Sequence, residues 1–475
     1  MSEQAIQLTV FCIVLGAIAI LTYIKCRGES SRQADSNKEY FLAGGGLTWV
    51  FVAGSITLTN LSTDQLVGMN GNQMLLLALW ELSGFMGLLI LAKVFLPVYY
   101  RNNCTTTTEL LERRYNSKHL RALVSSMFLF INVFVFQPAV IYTGALFMIS
   151  MTGIEADLMI IASAFALVGA AYALLGGLRA VAVSDTYGGV LVLAMGLLIV
   201  ILSLMAIDFD FSGIPQERLT LIGGSDSPIP WHTLLTGMLF IQIFYWSTNQ
   251  TITQRAMAAP TVKEAQKGVY AAAFIRVVFI PSMVVIPGIV AFKLYGDIGD
   301  QAYGRIVGDL LPGWLSGIFA AAIAAAVLSS FNSMVNSSAA MYVCDLHEAY
   351  INENPNLRKL SGIATSFFVV IAIAMVPIYA ESDSIINLLQ ELFGLISMPI
   401  LACFTVGLLF NNVDYRAAVA AVLSGVLMYA YFLWIWKPLH YIHMMFFTFL
   451  ICVSLALLIN RFVLGNRAEY VGLKA

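Results

Sequence analysis

Long apolar stretches separated by short polar connections follow one another along almost the whole chain. A helix needs about 20 apolar residues to cross the roughly 30 Å of membrane hydrocarbon, so stretches of this length predict membrane-spanning helices. We expect thirteen spans, near residues 6–26, 46–72, 74–98, 122–150, 156–175, 182–206, 231–253, 268–293, 314–343, 360–379, 384–410, 415–436 and 440–463.

The second predicted span is interrupted by the polar run Thr57–Gln65. Leu47–Ile56 before it would form only about 15 Å of helix, so the run must lie at membrane depth. One interpretation is a helix broken around Leu58–Leu61, with its carbonyls facing a binding site. The alternative is a continuous helix whose hydroxyl groups bond back to its own carbonyls. A second polar run, Tyr245–Thr251, lies within the seventh predicted span.

The order of the spans predicts an internal repeat. Five spans lie between the first helix and the polar loop 207–230, and five more follow this loop before the last two. Because five is odd, the two groups enter the membrane from opposite sides, and each opens on a span with a polar interruption. We therefore divide the chain into five parts. Residues 1–45 form an extra helix with a cytoplasmic loop, 46–206 the first inverted repeat, 207–230 an external loop, 231–411 the second inverted repeat, and 412–475 two C-terminal helices with a tail.

Composition supports a polytopic all-α membrane protein: 59% of the 475 residues are hydrophobic and only 11% are charged. A net charge of −2 gives no indication of nucleic-acid binding. The six cysteines are scattered without the spacing of a metal site. We expect no organic cofactor and no obligate protein partner, and the lipid bilayer is the expected surrounding.

Lysine and arginine residues are concentrated in the odd-numbered connections and the C-terminal tail. By the positive-inside rule these segments are cytoplasmic, which places the N-terminus outside and the C-terminus inside. The start of the chain lacks the basic region of a signal peptide, so the first apolar stretch is expected to remain as a helix.

Several ionisable or amide side chains lie deep in apolar stretches: Glu81, Gln242, Arg276, and Gln390 with Glu391. A charge at this depth needs a partner or a wet cavity. Glu81 and Arg276 could face one cavity and compensate each other, with the amides beside them, which would suit a polyhydroxylated solute. The alternative is a structural ion pair that ties two helices together.

Ser329 and Ser330 lie in a long span rich in small residues. Together with carbonyls exposed around Leu58–Leu61, their hydroxyl groups would form an uncharged oxygen shell, which fits a weakly held monovalent cation better than Ca²⁺ or Mg²⁺. Taken alone, the small residues are more typical of close helix packing, and the serines become ion ligands only together with the broken helix.

Two further features are open to more than one interpretation. Asp185 is near the inner end of its span, where it could guide a cation to the cytoplasm or cap the helix. Tyr245 and Trp246 could form a stacking lid over a sugar face or belong to an interfacial aromatic belt, although their midspan position argues against the belt.

The chain resembles the sodium/solute symporters, most closely the branch of bacterial sodium–galactose and sodium–glucose transporters. The resemblance covers about residues 38–411 and is carried by Glu39–Gly44, Asn60–Met69, Gly176–Ala180, Asn249–Gln250 with Gln254–Arg255 and Ala258–Ala259, and Ser329–Ser330 with Asn336–Ser337. It implies a LeuT-like fold of ten core helices, one extra N-terminal helix and, here, two C-terminal helices.

The resemblance also implies roles for individual residues. The sodium ligands would be the carbonyls of Leu58, Leu61 and Ala326 and the hydroxyls of Ser329 and Ser330, with Asp185 on the sodium exit route. The solute would be held by Gln65, Glu81, Gln242, Arg276 and Gln390, with Tyr245 as the inner gate.

Three positions depart from the galactose symporter, which has asparagine in place of Gln242, lysine in place of Arg276 and a sugar-contacting serine in place of Gly84. A guanidinium group favours bidentate anion contacts more than an ammonium group does. These departures put galactose in doubt and admit a sugar acid or a modified sugar.

The sequence therefore predicts sodium-coupled import of a hexose-like sugar across a bacterial inner membrane by alternating access. A symporter for an acidic sugar, a carboxylate or an amino acid is the first alternative, and a transporter-like sensor is a remote one. An enzyme is not expected, because no nucleophile–base pair or metal triad is present.

Overall fold

The computed structural model describes residues 3–26, 37–382 and 384–472, and these residues are helical almost throughout. Residues 27–36 of the predicted cytoplasmic connection and residues 473–475 of the predicted tail lie outside the described residues. The helices are α1 Glu3–Cys26, α2 Asn37–Phe41, α3 Trp49–Asn60, α4 Thr63–Gly71, α5 Leu75–Arg101, α6 Glu109–Tyr115, α7 Lys118–Thr152, α8 Leu158–Ala206, α9 Gly237–Ser247, α10 Gln250–Met257, α11 Val262–Tyr295, α12 Ala302–Leu310, α13 Gly313–Tyr350, α14 Leu357–Tyr379, α15 Ile385–Leu409, α16 Tyr415–Trp434 and α17 Tyr441–Val463.

Short elements connect and tie these helices. Single 3₁₀ turns lie at Ala43–Gly45, Gln216–Arg218, Trp231–Leu235 and Gly299–Gln301. After α15, strand β1 (Phe410–Asn411) pairs antiparallel with β2 (Glu469–Tyr470), which fastens the C-terminal segment to the end of α15.

Ten helical segments in the described ranges are long and apolar enough to cross a membrane: α1, α5, α7, the Leu178–Ala206 part of α8, α11, and α13 to α17. The Leu158–Tyr172 part of α8 and the whole of α9 are apolar but shorter. The broken pair α3 and α4 supplies the remaining predicted span. The structure therefore confirms a polytopic helical protein, whereas the number of thirteen spans stays a prediction.

Helix α8 folds back on itself. Its 49 residues would extend about 73 Å if they were straight. Gly169 packs against Phe331 and Gly188 packs against Ala325, although these two partners are only six residues apart on α13. The two halves of α8 therefore run beside the same helix, as expected for the predicted spans 156–175 and 182–206.

Both predicted interruptions are breaks in helices. Leu61 (φ −76°, ψ 71°) and the extended Ser62 separate α3 from α4. Thr248 and Asn249 separate α9 from α10, where the Asn249 side chain caps α10 by accepting a hydrogen bond from the Thr251 amide. The continuous-helix alternative for Thr57–Gln65 is therefore wrong.

Helix α13 lies at the centre of the bundle and packs against α1, α3, α7 and α8. Helix α3 packs between α8 and α11, which brings the first break beside α13. Helices α16 and α17 pack on α15 at the periphery. The first break, the small-residue face of α13 and the polar side chains of α5, α9 and α11 thus surround one region.

Candidate functional site

The first break frees two main-chain carbonyls. The Ser62 amide donates to the Asn60 carbonyl (2.8 Å) instead of continuing the helix to Leu58. Ser330 Oγ on α13 takes the vacated position, at 3.4 Å from the Leu58 carbonyl oxygen and 3.1 Å from that of Thr59. The broken helix and the serine pair therefore meet, as the sequence predicted.

The remaining predicted sodium ligands lie around this contact. Ser329 is buried, and its hydroxyl interacts with the carboxylate of Asp185. Ala326 is buried one helical turn before Ser330, and Leu61 is the first residue of the break. One detail of the prediction is wrong: Leu58 is in the last turn of α3, and the unwound residues are Leu61 and Ser62, because the Leu61 amide still bonds to the Thr57 carbonyl.

Asp185 borders the same group. Its carboxylate is fully buried and accepts a hydrogen bond of 2.7 Å from Ser55 of α3. Ser329 and the buried Arg255 of α10 face it. Asp185 therefore adds a negative charge next to the uncharged oxygens, close to the start of the Leu178–Ala206 segment.

A cavity of about 40 Å³ lies beside the break. Its lining includes five of the predicted solute-binding residues: Gln65, Gln242, Tyr245, Arg276 and Gln390. Space of this size accommodates about three water molecules, so a hexose cannot occupy the cavity in this conformation. The structure therefore represents a closed form of the site.

Arg276 is the central charged group of this region. Its Nη2 atom lies 2.7 Å from Glu81 Oε2, which confirms the predicted compensation between the two buried side chains. Its guanidinium carbon is 4.3 Å from the centre of the Trp246 ring. Its Nη1 atom donates to the side-chain oxygen of Asn60, the last residue of α3. The ion pair is thus joined directly to the helix break.

Gly84 provides the space for this guanidinium. A Cβ atom at position 84 would lie 2.7 Å from Arg276 Nε and 3.0 Å from Trp246 Nε1. Such distances are shorter than real contacts, so any larger residue would displace one of these groups. The departures Gly84 and Arg276, which the sequence presented separately, are therefore physically linked.

Gln242 lines the cavity, but its amide is bonded to protein groups. Its Nε2 atom donates to the Trp80 carbonyl (2.8 Å) and to Ser83 Oγ (3.0 Å), and its Oε1 atom accepts from Trp246 Nε1 (3.0 Å). In this conformation Gln242 therefore orients Trp246 beneath Arg276. The prediction that Gln242 contacts the solute would require some of these bonds to break.

The two adjacent aromatic residues have different surroundings. Tyr245 lines the cavity, and its hydroxyl accepts a hydrogen bond of 2.8 Å from Asn60 Nδ2. Trp246 is only 1% exposed and lies under the guanidinium. Both are internal, so the interfacial alternative is wrong, and the stacking position next to the cavity belongs to Tyr245.

Sequence reasoning missed Asn60 as a site residue, although it lies inside the polar run. Its side chain joins Tyr245 and Arg276, and its main chain borders the carbonyls that face Ser330. It also missed Ser55, which binds Asp185, and the apolar wall formed by Met69, Trp80 and Phe393. The signal that the sequence did offer for Asn60 was its position as a polar residue inside a run that was predicted to break the helix.

Polar contacts lie between the end of α4 and the start of α15. Asn72 Nδ2 lies 3.4 Å from Ser384 Oγ, and Asp300 Oδ2 accepts from the Ile385 amide at the start of α15 (3.1 Å). Burial raises the pKa of Asp300 to about 6, while the Ile385 amide acts in the opposite direction. These contacts hold the start of α15, a helix that lines the cavity further along, next to the end of α4.

Comparisons with known proteins agree with this arrangement. The sequence model of the "Sodium:solute symporter family" matches residues 40–425. The sodium/glucose cotransporter of Vibrio parahaemolyticus is 30% identical over 461 residues, which cover 89% of this chain and 84% of that protein. "Uncharacterized symporter YidK" of Escherichia coli (strain K12) is 32% identical over 469 residues, 93% of this chain and 81% of that protein.

Solved structures show the same fold. The substrate-bound, outward-open structure of a Na⁺-coupled sialic acid symporter has a TM-score of 0.82 and 18% sequence identity, and the match covers 98% of this chain and 99% of that one. At this identity the similarity is one of architecture.

Proposed function

Since this chain belongs to the sodium:solute symporter family, we propose that it imports a neutral, hydroxyl-rich solute of hexose size together with sodium. The observation that carries the proposal is the position of Asn60. Its backbone ends the broken helix whose carbonyls face Ser330, and its side chain reaches Tyr245 and Arg276 in the cavity. Ion and solute would therefore act on the same residue.

The proposed sodium site consists of the carbonyls of Leu58, Leu61 and Ala326 and the hydroxyls of Ser329 and Ser330. Its support is the contact of Ser330 with the freed carbonyls and the position of the buried Ser329 hydroxyl next to Ser330 and Asp185. Uncharged oxygens in this number suit a weakly bound monovalent cation. Asp185, which Ser329 faces, would accept the ion as it leaves.

The proposed solute site is supported by the polar atoms that have no partner in the described residues. Gln65 Oε1 and Glu81 Oε1 are buried acceptors without donors. A ligand rich in hydroxyl groups supplies such donors, because a hydroxyl can donate and accept. The positive charge of Arg276 is already compensated by Glu81, which favours a neutral sugar over an acid.

An acidic sugar is the second candidate. Arg276 Nε is buried without a partner, so the guanidinium retains one donor for a carboxylate. Transport of such a solute would require its carboxylate to compete with Glu81. A sodium symporter for an amino acid or another carboxylate would use the same group.

Transport would proceed by alternating access around this site. Sodium would hold the carbonyls of the break and the serine hydroxyls in one arrangement, which fixes Asn60 and completes the solute site. The solute's hydroxyl groups would then replace bonds such as that between Asn60 and Tyr245. We also propose that the chain has thirteen spans, ten of them arranged as two inverted repeats of five. The membrane would be a bacterial inner membrane, with the N-terminus outside and the C-terminus inside.

Counterflow in proteoliposomes tests the proposal. The vesicles are loaded with D-glucose, D-galactose, myo-inositol or N-acetylneuraminic acid, and exchange of labelled solute is measured in sodium and in potassium. We expect exchange of at least one neutral sugar or polyol that depends on sodium. Exchange of the acid alone would favour the second candidate, and sugar exchange at equal rates in both salts would refute sodium coupling.

Gln65→Ala is expected to weaken solute binding without changing the ion site. The substitution removes an acceptor that lines the cavity but makes no contact with the serine pair, so the KM for the solute should rise about tenfold, the effect of roughly one hydrogen bond to a bound ligand. The sodium concentration for half-maximal uptake should stay within about twofold. Gln216→Ala, at an exposed glutamine in the loop 207–230, is the control.

A further inference from the structure

A second, larger cavity lies away from the central one. It has a volume of about 530 Å³ and is enclosed by α15, α16, α17 and the loop residues Ser225–Pro228. Pockets that bind small molecules usually have volumes of about 300–1,000 Å³, so this cavity can hold a hexose in the present conformation. We call it the outer cavity.

The lining of the outer cavity combines hydrogen-bonding groups of both kinds with aromatic surface. Asp226 and Glu391 supply carboxylates, Lys437 an ammonium group and Asn387 an amide. Phe432 adds an apolar ring face. Hydroxyl groups need both donors and acceptors, and the carbon face of a sugar ring packs on apolar side chains, so this set matches a polyhydroxylated ligand.

The net charge of the lining argues against acidic ligands. Burial, together with the neighbouring His443 and His232, lowers the pKa of His440 to about 4, so this side chain is uncharged near neutral pH. Two carboxylates and one ammonium group leave a small excess of negative charge. A neutral ligand therefore fits better than an anion.

The outer cavity and the central cavity share one helix. Gln390 and Phe393 of α15 line the central cavity, while Asn387 and Glu391 line the outer one. Asn387 also lies 3.5 Å from Asn72, the residue after α4. A ligand in the outer cavity would thus contact an adjacent face of the helix that lines the central cavity.

We propose that the outer cavity is a second binding site for a neutral, hydroxyl-rich solute, and that binding there does not require sodium. None of the proposed sodium ligands lines this cavity. The ligand class follows from the lining, and only its identity with the transported solute rests on the proposed function.

Equilibrium binding to the full chain in lipid nanodiscs tests this inference. Labelled D-glucose, D-galactose and myo-inositol are titrated in potassium and in sodium. We expect one component in potassium, from the outer cavity, and a second component that appears only in sodium. Glu391→Gln and Lys437→Met, which each remove one charge from the lining, should each weaken the potassium component at least tenfold and leave the sodium-dependent one within twofold.

Tyr431→Phe is the control, since Tyr431 is on α16 but is 46% exposed and does not line the cavity. Its binding should equal that of the unmodified protein. Absence of sodium-independent binding for all three ligands, or binding that neither Glu391→Gln nor Lys437→Met weakens, would overturn the inference. A potassium component that both variants remove, without any sodium-dependent component, would support the outer site and refute the proposed function.

Discussion

Gly84→Ser is expected to reduce sodium-driven uptake at least tenfold, and the added substitution Arg276→Lys is expected to restore it to within about threefold of the original rate. The serine would place its Cβ 2.7 Å from Arg276 Nε, and its hydroxyl would need still more space. Overpacking of this kind costs about 1–3 kcal/mol, and displacing Arg276 from Glu81 would also separate a buried ion pair. A lysine has a slimmer end group and keeps the positive charge.

The measurement is uptake by proteoliposomes for the single and double variants, together with their thermal unfolding. Gly16→Ser is the control, because Gly16 is also helical but a Cβ atom there meets nothing within 4 Å. The losses of uptake in the single and double variants should be strongly non-additive, as is usual for groups in contact. Additive losses in the double variant would show that Gly84 and Arg276 are not coupled as the structure indicates.

Ser329→Ala is expected to raise the sodium concentration for half-maximal uptake at least tenfold. The hydroxyl is buried beside Ser330 and interacts with the Asp185 carboxylate, so its removal would take away the proposed ion ligand together with this one interaction. At saturating sodium, the KM for the solute should remain within about twofold. The two variants Ser329→Ala and Gln65→Ala would then separate an effect on sodium binding from an effect on solute binding.

Ser316→Ala is a closely matched control for this prediction. Ser316 is a serine on the same helix and is also buried, but it lies about 20 Å along the helix from Ser329. Its sodium dependence should not change. Equal sodium requirements for Ser329→Ala and Ser316→Ala would show that Ser329 is not a ligand of the ion.

The sequence predicted those features that depend on the cost of polar groups in a membrane. A polar run as long as Thr57–Gln65 cannot remain within an apolar span without a break or a cavity, and a break is found at Leu61–Ser62. Glu81 and Arg276 needed compensation at membrane depth, and they form an ion pair. The free-energy cost of leaving such polar groups unpaired in the membrane is large, so their need for a break or a partner can be recognised without knowledge of the packing.

Features that depend on competition between neighbours could not be predicted. Gln242 was expected to face the solute, but Trp80 and Ser83 offer it partners that only the packing of α5 against α9 brings within reach. Trp246, one turn further along α9, adds a third bond. The fit between Gly84 and Arg276 likewise depends on the contact of two helices almost 200 residues apart in the chain. From the sequence alone, Asn60 could not be distinguished from the other polar residues in its run. Its bonds to Tyr245 and Arg276 are visible only in the structure.

The outer cavity could not be predicted from the sequence for a similar reason. Glu391 was noted as polar next to Gln390, but adjacent positions on a helix point in different directions. The structure places Gln390 at the central cavity and Glu391 at the outer one. Which face of α15 each residue occupies is decided by the packing of α16 and α17 against it.

The central claim is that one broken helix binds sodium and positions the solute site, so the two fluxes must be coupled. Simultaneous measurement of ²²Na⁺ and labelled solute entering the same proteoliposomes tests it most directly. We predict that an inward solute gradient alone drives sodium entry, that a sodium gradient drives solute accumulation, and that Ser329→Ala weakens both at low sodium. Solute entry that proceeds equally well in potassium, with no accompanying sodium, would contradict the account.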